Sequence, residues 1–362
     1  MAGTPVKSVS GGVITWTLAD VALLDNPASG TEMQPSTTAK TVTAVFGGVN
    51  AALTVTNPTT PLTITQEDAK MAFDESNPTA VQVSAPGGTG SFAMIVNITQ
   101  TDSNPGDMTK ILPANVSMTL AAVSGGSRTQ TATSISAAGV ATFNFTGVLV
   151  NAYGVTVTLT NTYFEADPIE TVLTVYDPSL GFVTGGGWFN WPGTTDKTNF
   201  GFVMQYGKNG STLKGSLLLI RHTADGIIRI KSNSLTPGSL VLGTTTAPMG
   251  WASFAGKCTY SVSSEGISDG TPLFKVYVED GNNPGTGFDK FWIQVDGHAS
   301  LSMSPMASSS AVTIVGGNIA VPHTPARTTK GGWLLVLATP TWMASRRKRA
   351  SDSRHENQRL EG

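Results

Sequence analysis

In Gly139-Val140-Ala141-Thr142-Phe143-Asn144-Phe145, apolar Ala141, Phe143 and Phe145 alternate with polar Thr142 and Asn144. Successive side chains of a β-strand point to opposite faces, so this order offers one face to a core and the other to solvent. The same alternation recurs in both directions along the chain: Val13 to Leu18, Thr41 to Phe46, Leu53 to Thr56, Ala93 to Thr99, Val116 to Leu120, Val155 to Leu159 and Val172 to Tyr176. Between the runs sit Asn57-Pro58, Pro86-Gly87-Gly88, Asn104-Pro105-Gly106-Asp107 and Gly125-Gly126, whose backbone preferences make turns. Short strands with a turn roughly every 8–12 residues read as a β-sandwich, and no helical period of useful length competes. The expected fold is all-β: tandem Ig-like β-sandwich repeats followed by a C-terminal β-sandwich module.

Composition agrees with that expectation. Of 362 residues only 13% are charged, while 40 are Gly and 20 are Pro, a balance that favours strands and tight turns over helices. The net charge of −2 hides an asymmetry: residues 346–362 are basic, and those before them carry −5. No basic footprint for nucleic acid exists, so none is expected as a partner. Met1 to Gly12 lacks the apolar segment of a signal peptide, and no run of about 20 apolar residues is present to span a bilayer. Cys258 is the sole cysteine, which rules out an intramolecular disulfide.

The chain repeats itself. Gly12-Val13-Ile14-Thr15-Trp16-Thr17-Leu18 parallels Gly139 to Phe145, and Leu62-Thr63-Ile64 parallels Leu173-Thr174-Val175. These pairs read as the closing strands of two copies of one domain, of which the first lacks its opening strands. The expected organisation is therefore an incomplete Ig-like repeat over 1–76, an Ig-like β-sandwich over 77–178, a β module over 179–323 and a disordered tail over 324–362. The chain reads as a fragment of a longer protein, although a short and genuinely different N-terminal domain fits residues 1–76 equally.

The junction Thr174-Val175-Tyr176-Asp177-Pro178-Ser179-Leu180-Gly181-Phe182-Val183-Thr184-Gly185-Gly186-Gly187-Trp188 resembles that of large bacterial surface proteins, in which Ig-like repeats end in a post-COAP-type module. The resemblance continues in Asn199-Phe200-Gly201-Phe202, in Asp289-Lys290-Phe291-Trp292-Ile293 and in Gly316-Gly317-Asn318-Ile319-Ala320-Val321-Pro322-His323. Upstream, Leu62-Thr63-Ile64-Thr65-Gln66-Glu67-Asp68-Ala69 is similar to the linker between repeats of such proteins. The resemblance implies an extracellular or cell-surface setting and no assigned reaction. Thr236 to Gly250 and Gly297 to Ser310 depart from it, and Pro322 interrupts the final strand.

Catalytic spacing is missing from the sequence. His222, His298, His323 and His355 form no metal-ligand motif, and no nucleophile elbow occurs. Cys258 reads as a small buried hydrophobe in the strand Lys257 to Val262. Gly185-Gly186-Gly187 lacks the lysine of a phosphate loop and reads as backbone crossing closely over packed aromatics. Carboxylate pairs such as Glu265 with Asp269, or Asp280 with Asp289, lack any supporting motif for glycoside hydrolysis. The best ligand candidate is the loop Glu279-Asp280-Gly281-Asn282-Asn283-Pro284 with Asp289. Its oxygens, from Glu279, Asp280 and Asp289, are of the kind calcium takes. The competing reading is a solvated hairpin loop, where Asp, Asn and Gly belong anyway. Asp102 to Asp107 carries a weaker version of the same argument, and no cofactor is expected beyond that calcium.

Trp188, Trp191, Trp251 and Trp292 fit either a sugar-stacking platform or a core, and a core is the commoner use. In the tail, an apolar stretch from Gly331 precedes Arg346-Arg347-Lys348-Arg349. Residues 331–349 resemble a sorting or stop-transfer signal, yet the stretch is short, contains Pro340 and would associate with a membrane only in that role. The expected function is a non-catalytic extracellular or cell-surface structural and adhesive protein, with cell-envelope or extracellular polymers as partners. The alternative is a carbohydrate- or polymer-binding accessory module of a secreted enzyme.

Overall fold

The computed structural model describes residues 6–10, 13–17, 36–43, 59–64, 66–100, 108–161, 163–180, 182–206, 212–243 and 249–322. The loop Asp102 to Asp107, His323, His355 and the 331–349 tail lie outside these residues. Near the N-terminus β1 (Val6–Ser10) pairs antiparallel with β2 (Val13–Thr17), and β3 (Ser36–Thr43) with β4 (Thr59–Ile64).

A sandwich follows. Its strands are β5 (Glu67–Phe73), β6 (Ala80–Gln82), β7 (Gly90–Gln100), β8 (Val116–Ala122) and β9 (Ser127–Thr131). They continue with β10 (Ser134–Ile135), β11 (Val140–Val148), β12 (Asn151–Leu159), β13 (Phe164–Glu165) and β14 (Ile169–Tyr176). One sheet has the order β10-β11-β7-β5-β13 and the other β6-β14-β12-β8-β9. Strand β5 lies ahead of residue 77, where the sequence reading begins this sandwich, and it pairs with β7 from Ala69↔Gln100 to Phe73↔Val96. Alternation places the core as expected: Ala141, Phe143 and Phe145 of β11 point inward with Met94, Val96 and Ile98 of β7, against Val155, Val157, Leu173 and Val175.

The C-terminal module is a single long sheet. Its strands are β15 (Phe182–Asn190), β16 (Lys197–Tyr206), β17 (Leu213–Thr223), β18 (Gly226–Leu235), β19 (Val241–Gly243) and β20 (Gly250–Val262). Then come β21 (Ile267–Asp269), β22 (Leu273–Asp280), β23 (Lys290–Val295), β24 (Val312–Thr313) and β25 (Gly316–Ala320). The order β24-β23-β22-β20-β18-β17-β16-β15-β25 puts sequence neighbours β24 and β25 at opposite edges. The sheet therefore curls until its two edges meet. The first and last strands pair (Thr184↔Ala320, Gly187↔Gly317), and Leu273–Asp280 forms a hairpin with Lys290–Val295. The curl encloses an aromatic core in which Phe291 stacks on Phe200 and Phe189 with ring centroids 4.6 and 5.5 Å apart. Gly185 leaves room for the Phe202 ring, which a Cβ there would approach to 2.6 Å.

The two modules share a second, smaller apolar cluster of Val123, Ala152, Val172, Leu218 and Ile220. It explains two runs that do not alternate: Leu217-Leu218-Leu219-Ile220 on β17 and Val172-Leu173-Thr174-Val175 on β14 are buried throughout, because each strand has a core on both faces. Close approach depends on glycine. A Cβ at Gly186 would lie 2.2 Å from the Thr79 carbonyl oxygen, and one at Gly201 2.5 Å from Val172. Polar bonds complete the seam. Thr174 Oγ1 donates to the Gly185 carbonyl (3.1 Å), Ala152 N–H to Ser216 Oγ (2.8 Å) and Asn199 Nδ2 to Thr171 Oγ1 (3.1 Å). Arg229 donates from Nε and Nη2 to Glu170 Oε2 at 3.0 and 2.5 Å.

Candidate functional site

Strand β20 runs from Gly250, paired with Asp280, to Val262, paired with Ile228, so the loops of this module gather at two ends. The acidic loop between β22 and β23 belongs to the first. Its carboxylates turn away from solvent, with Glu279, Asp280 and Asp289 3%, 5% and 0% exposed, while Asn282, Asn283 and Pro284 of the loop are exposed. Asp289 Oδ1 accepts the amides of Gly281 (2.9 Å) and Asn282 (3.4 Å), and its Oδ2 accepts that of Ile319 (2.6 Å). Asp280 Oδ2 accepts the Val321 amide at 3.0 Å. Glu279 Oε1 accepts from the Tyr277 hydroxyl at 2.7 Å, and its Oε2 pairs with Lys290 Nζ at 3.1 Å. Gly285 gives Asp289 its space, since a Cβ there would sit 1.7 Å from Oδ2.

Charge follows from these partners. Burial pushes the Asp289 carboxyl above the usual carboxylate range, against the pull of its three amides. Burial acts the same way on Glu279, but hydrogen bonds from Ser308, Tyr277 and Lys290 and the ammonium charge outweigh it and hold the carboxyl low. Five of the six carboxylate oxygens that the sequence offers to calcium are thus held by protein donors. Among the described residues no group of three or more His, Cys, Asp or Glu gathers as a metal would need. The geometry is that of a latch, in which two aspartates of one hairpin pin the strand that closes the sheet.

The other end is open. A cleft of about 540 Å³ is walled by Asp196 before β16, by Thr223, Ala224 and Asp225, by Ser264 and Glu265, and by His298 and Ser300 after β23, over Ile228, Tyr260, Val262 and Ile267. Arg221, near the end of β17, ties two walls together. Its Nε and Nη2 donate to Asp196 Oδ2 at 3.0 and 2.7 Å, its Nη1 donates to the Ser300 carbonyl, and its guanidinium lies 4.7 Å from the Trp191 ring centre. His298 stacks on Tyr260 with centroids 3.7 Å apart and planes 17° off parallel, and its Nε2 faces Asp269 Oδ2 at 3.4 Å. Hydrogen bonds from Thr271 chiefly hold the Asp269 carboxyl below its ordinary range.

The remaining sequence candidates separate. Trp292 and Trp191 are buried, while Trp188 and Trp251 are half-buried. Trp188 carries Lys197 over its ring at 4.7 Å, whereas Trp251 packs on Tyr277 at 5.7 Å. Cys258 is fully buried and burial drives its thiol up to about 12, so it is no nucleophile. His222 bonds Asn199 Oδ1 through Nε2 at 3.1 Å beside the module seam. Of the proposed carboxylate pairs, Glu265 lines the cleft without Asp269, and Asp280 and Asp289 are turned to main-chain amides. Gly185-Gly186-Gly187 lies over an aromatic ring as read, but also against the neighbouring module and β25, which the sequence did not reveal. The cleft itself was not legible. Arg221, Tyr260 and His298 lie far apart in sequence, and only the sheet order brings them together. Comparisons of the chain with known protein families, with curated proteins and with solved structures return no match.

Proposed function

We propose that this chain is a non-catalytic structural and adhesive protein of the bacterial cell surface or extracellular space, built from Ig-like repeats that carry a terminal β module of the post-COAP type. The observation that carries this reading is the seam between the sandwich and the C-terminal module. Domain interfaces within a chain move by default unless they are apolar and well packed. This one combines a buried aliphatic cluster with contacts at backbone distance and an arginine–glutamate pair. Such a seam keeps the terminal module in a fixed attitude on its support, which a stalk or spacer requires and a freely diffusing enzyme does not. Strand pairing in the N-terminal segment supports repetition: β1 with β2 and β3 with β4 match β10 with β11 and β12 with β14 in order and direction. Antibody labelling and protease shaving of intact source cells test the location. The protein is expected to be labelled and shaved without lysis, and signal confined to lysed cells would overturn the reading.

A further inference from the structure

We infer that the cleft bounded by Asp196, Asp225, Glu265 and His298 binds a neutral oligosaccharide, and so supplies the adhesive contact of the cell-surface reading on which this inference rests. Its volume of about 540 Å³ falls in the range of small-ligand sites, roughly 300–1,000 Å³. Its walls come from four loops at one end of a rigid sheet, the place where β-sandwiches carry recognition.

The walls are also fixed in advance. A half-buried ion pair is a poor device for stability alone, because apolar replacements often serve as well, but it sets geometry. Arg221 does so by joining the loop before β16 to the loop after β23. The second loop is braced further, with Ser302 Oγ donating to the carbonyls of Val295 and His298 at 2.9 and 2.8 Å. Preorganised walls reduce the ordering cost of binding.

The lining selects the ligand class. A sugar ring presents apolar C–H faces edged by hydroxyls. The cleft presents half-buried His298, backed by the buried Tyr260 ring on which it stacks, and the side chains of Ile228, Val262 and Ile267, edged by Thr223, Asp225, Ser264 and Glu265. Among the described residues its one guanidinium is already matched by Asp196, so the exposed rim carboxylates Asp225 and Glu265 give that lining surplus negative charge. Like charge disfavours phosphate, sulfate and uronate ligands. Neutral hydroxyls satisfy the same acceptors without that penalty.

Isothermal titration calorimetry of the full chain tests this with unbranched neutral hexasaccharides of glucose, xylose and mannose, a hexagalacturonate and a pentalysine peptide. At least one neutral hexasaccharide is expected to bind, with affinity about tenfold weaker in His298→Ala and also reduced in Glu265→Gln. Glu265 is exposed, so its variant leaves the melting temperature unchanged and separates lost contact from lost folding. Absence of binding by all three neutral probes, binding unaffected by both substitutions, or binding of hexagalacturonate or pentalysine alone would overturn the inference. None of these outcomes bears on the labelling of intact cells, so the surface reading stands or falls separately.

Discussion

The two ends of the C-terminal module use charge in opposite ways. At one, Asp280 and Asp289 turn inward and accept amides of residues 281, 282, 319 and 321. At the other, Asp225 and Glu265 stay exposed on the rim of an open cleft, and the half-buried Arg221 is paired with Asp196 in its wall. Composition does not separate them, since each end has several carboxylates among Gly, Ser, Asn and Thr. What differs is the supply of unpaired backbone. The edge of a curled sheet presents amides that no strand is left to satisfy, and a buried carboxylate is the side chain able to accept several at once. Where no edge needs closing, acidic loop residues remain free for solvent or ligand.

The largest expected effect lies at the latched end. Asp289→Ala strips three amides of their acceptor and should lower stability by about 3–5 kcal/mol in urea denaturation. A loss below about 1 kcal/mol would mean that the sheet closes without it. Arg221→Met should cost about 1–3 kcal/mol, because it removes charge-assisted bonds to Asp196 and Ser300 together with the guanidinium's contact with the Trp191 ring. It is also expected to weaken hexasaccharide binding, as the walls lose their tie.

The ends should differ in pH dependence as well. Glu279 has a lowered folded pKa. Its contribution is therefore present above the ordinary glutamate value, and it fades as pH falls from about 5 through that lowered value. Asp289 works in the opposite sense: its folded pKa is raised, so its contribution is complete below the unfolded value and declines as pH rises through the folded one. In melting curves taken between about pH 6 and pH 3, Glu279→Gln should flatten the acid loss, whereas Asp289→Asn should not. The smallest effect belongs to the open end, where Glu265→Ala should shift stability by no more than about 0.5 kcal/mol.

These differences also mark what the sequence makes legible. Strand positions and the burial of Cys258 follow from alternation and local residue chemistry, and the structure has them. The latch in the acidic loop is not legible because its distant amide donors belong to residues 319 and 321, about 30 and 41 positions away from their acceptors Asp289 and Asp280. The seam between modules left a trace in the unbroken apolar run Leu217 to Ile220, which a strand with one wet face does not carry. The cleft left none, since Arg221 and Ser300, 79 residues apart, meet only through the order of the sheet.

Amide hydrogen exchange of the full chain across residues 281–289 and 316–321, in millimolar calcium and in chelator, tests the latch most directly. The amides of Gly281, Ile319 and Val321 are expected to exchange slowly and at the same rate in both, because protein carboxylates already hold them. Fast exchange in chelator that slows on adding calcium would show that the carboxylates wait for a metal, and would contradict the latch.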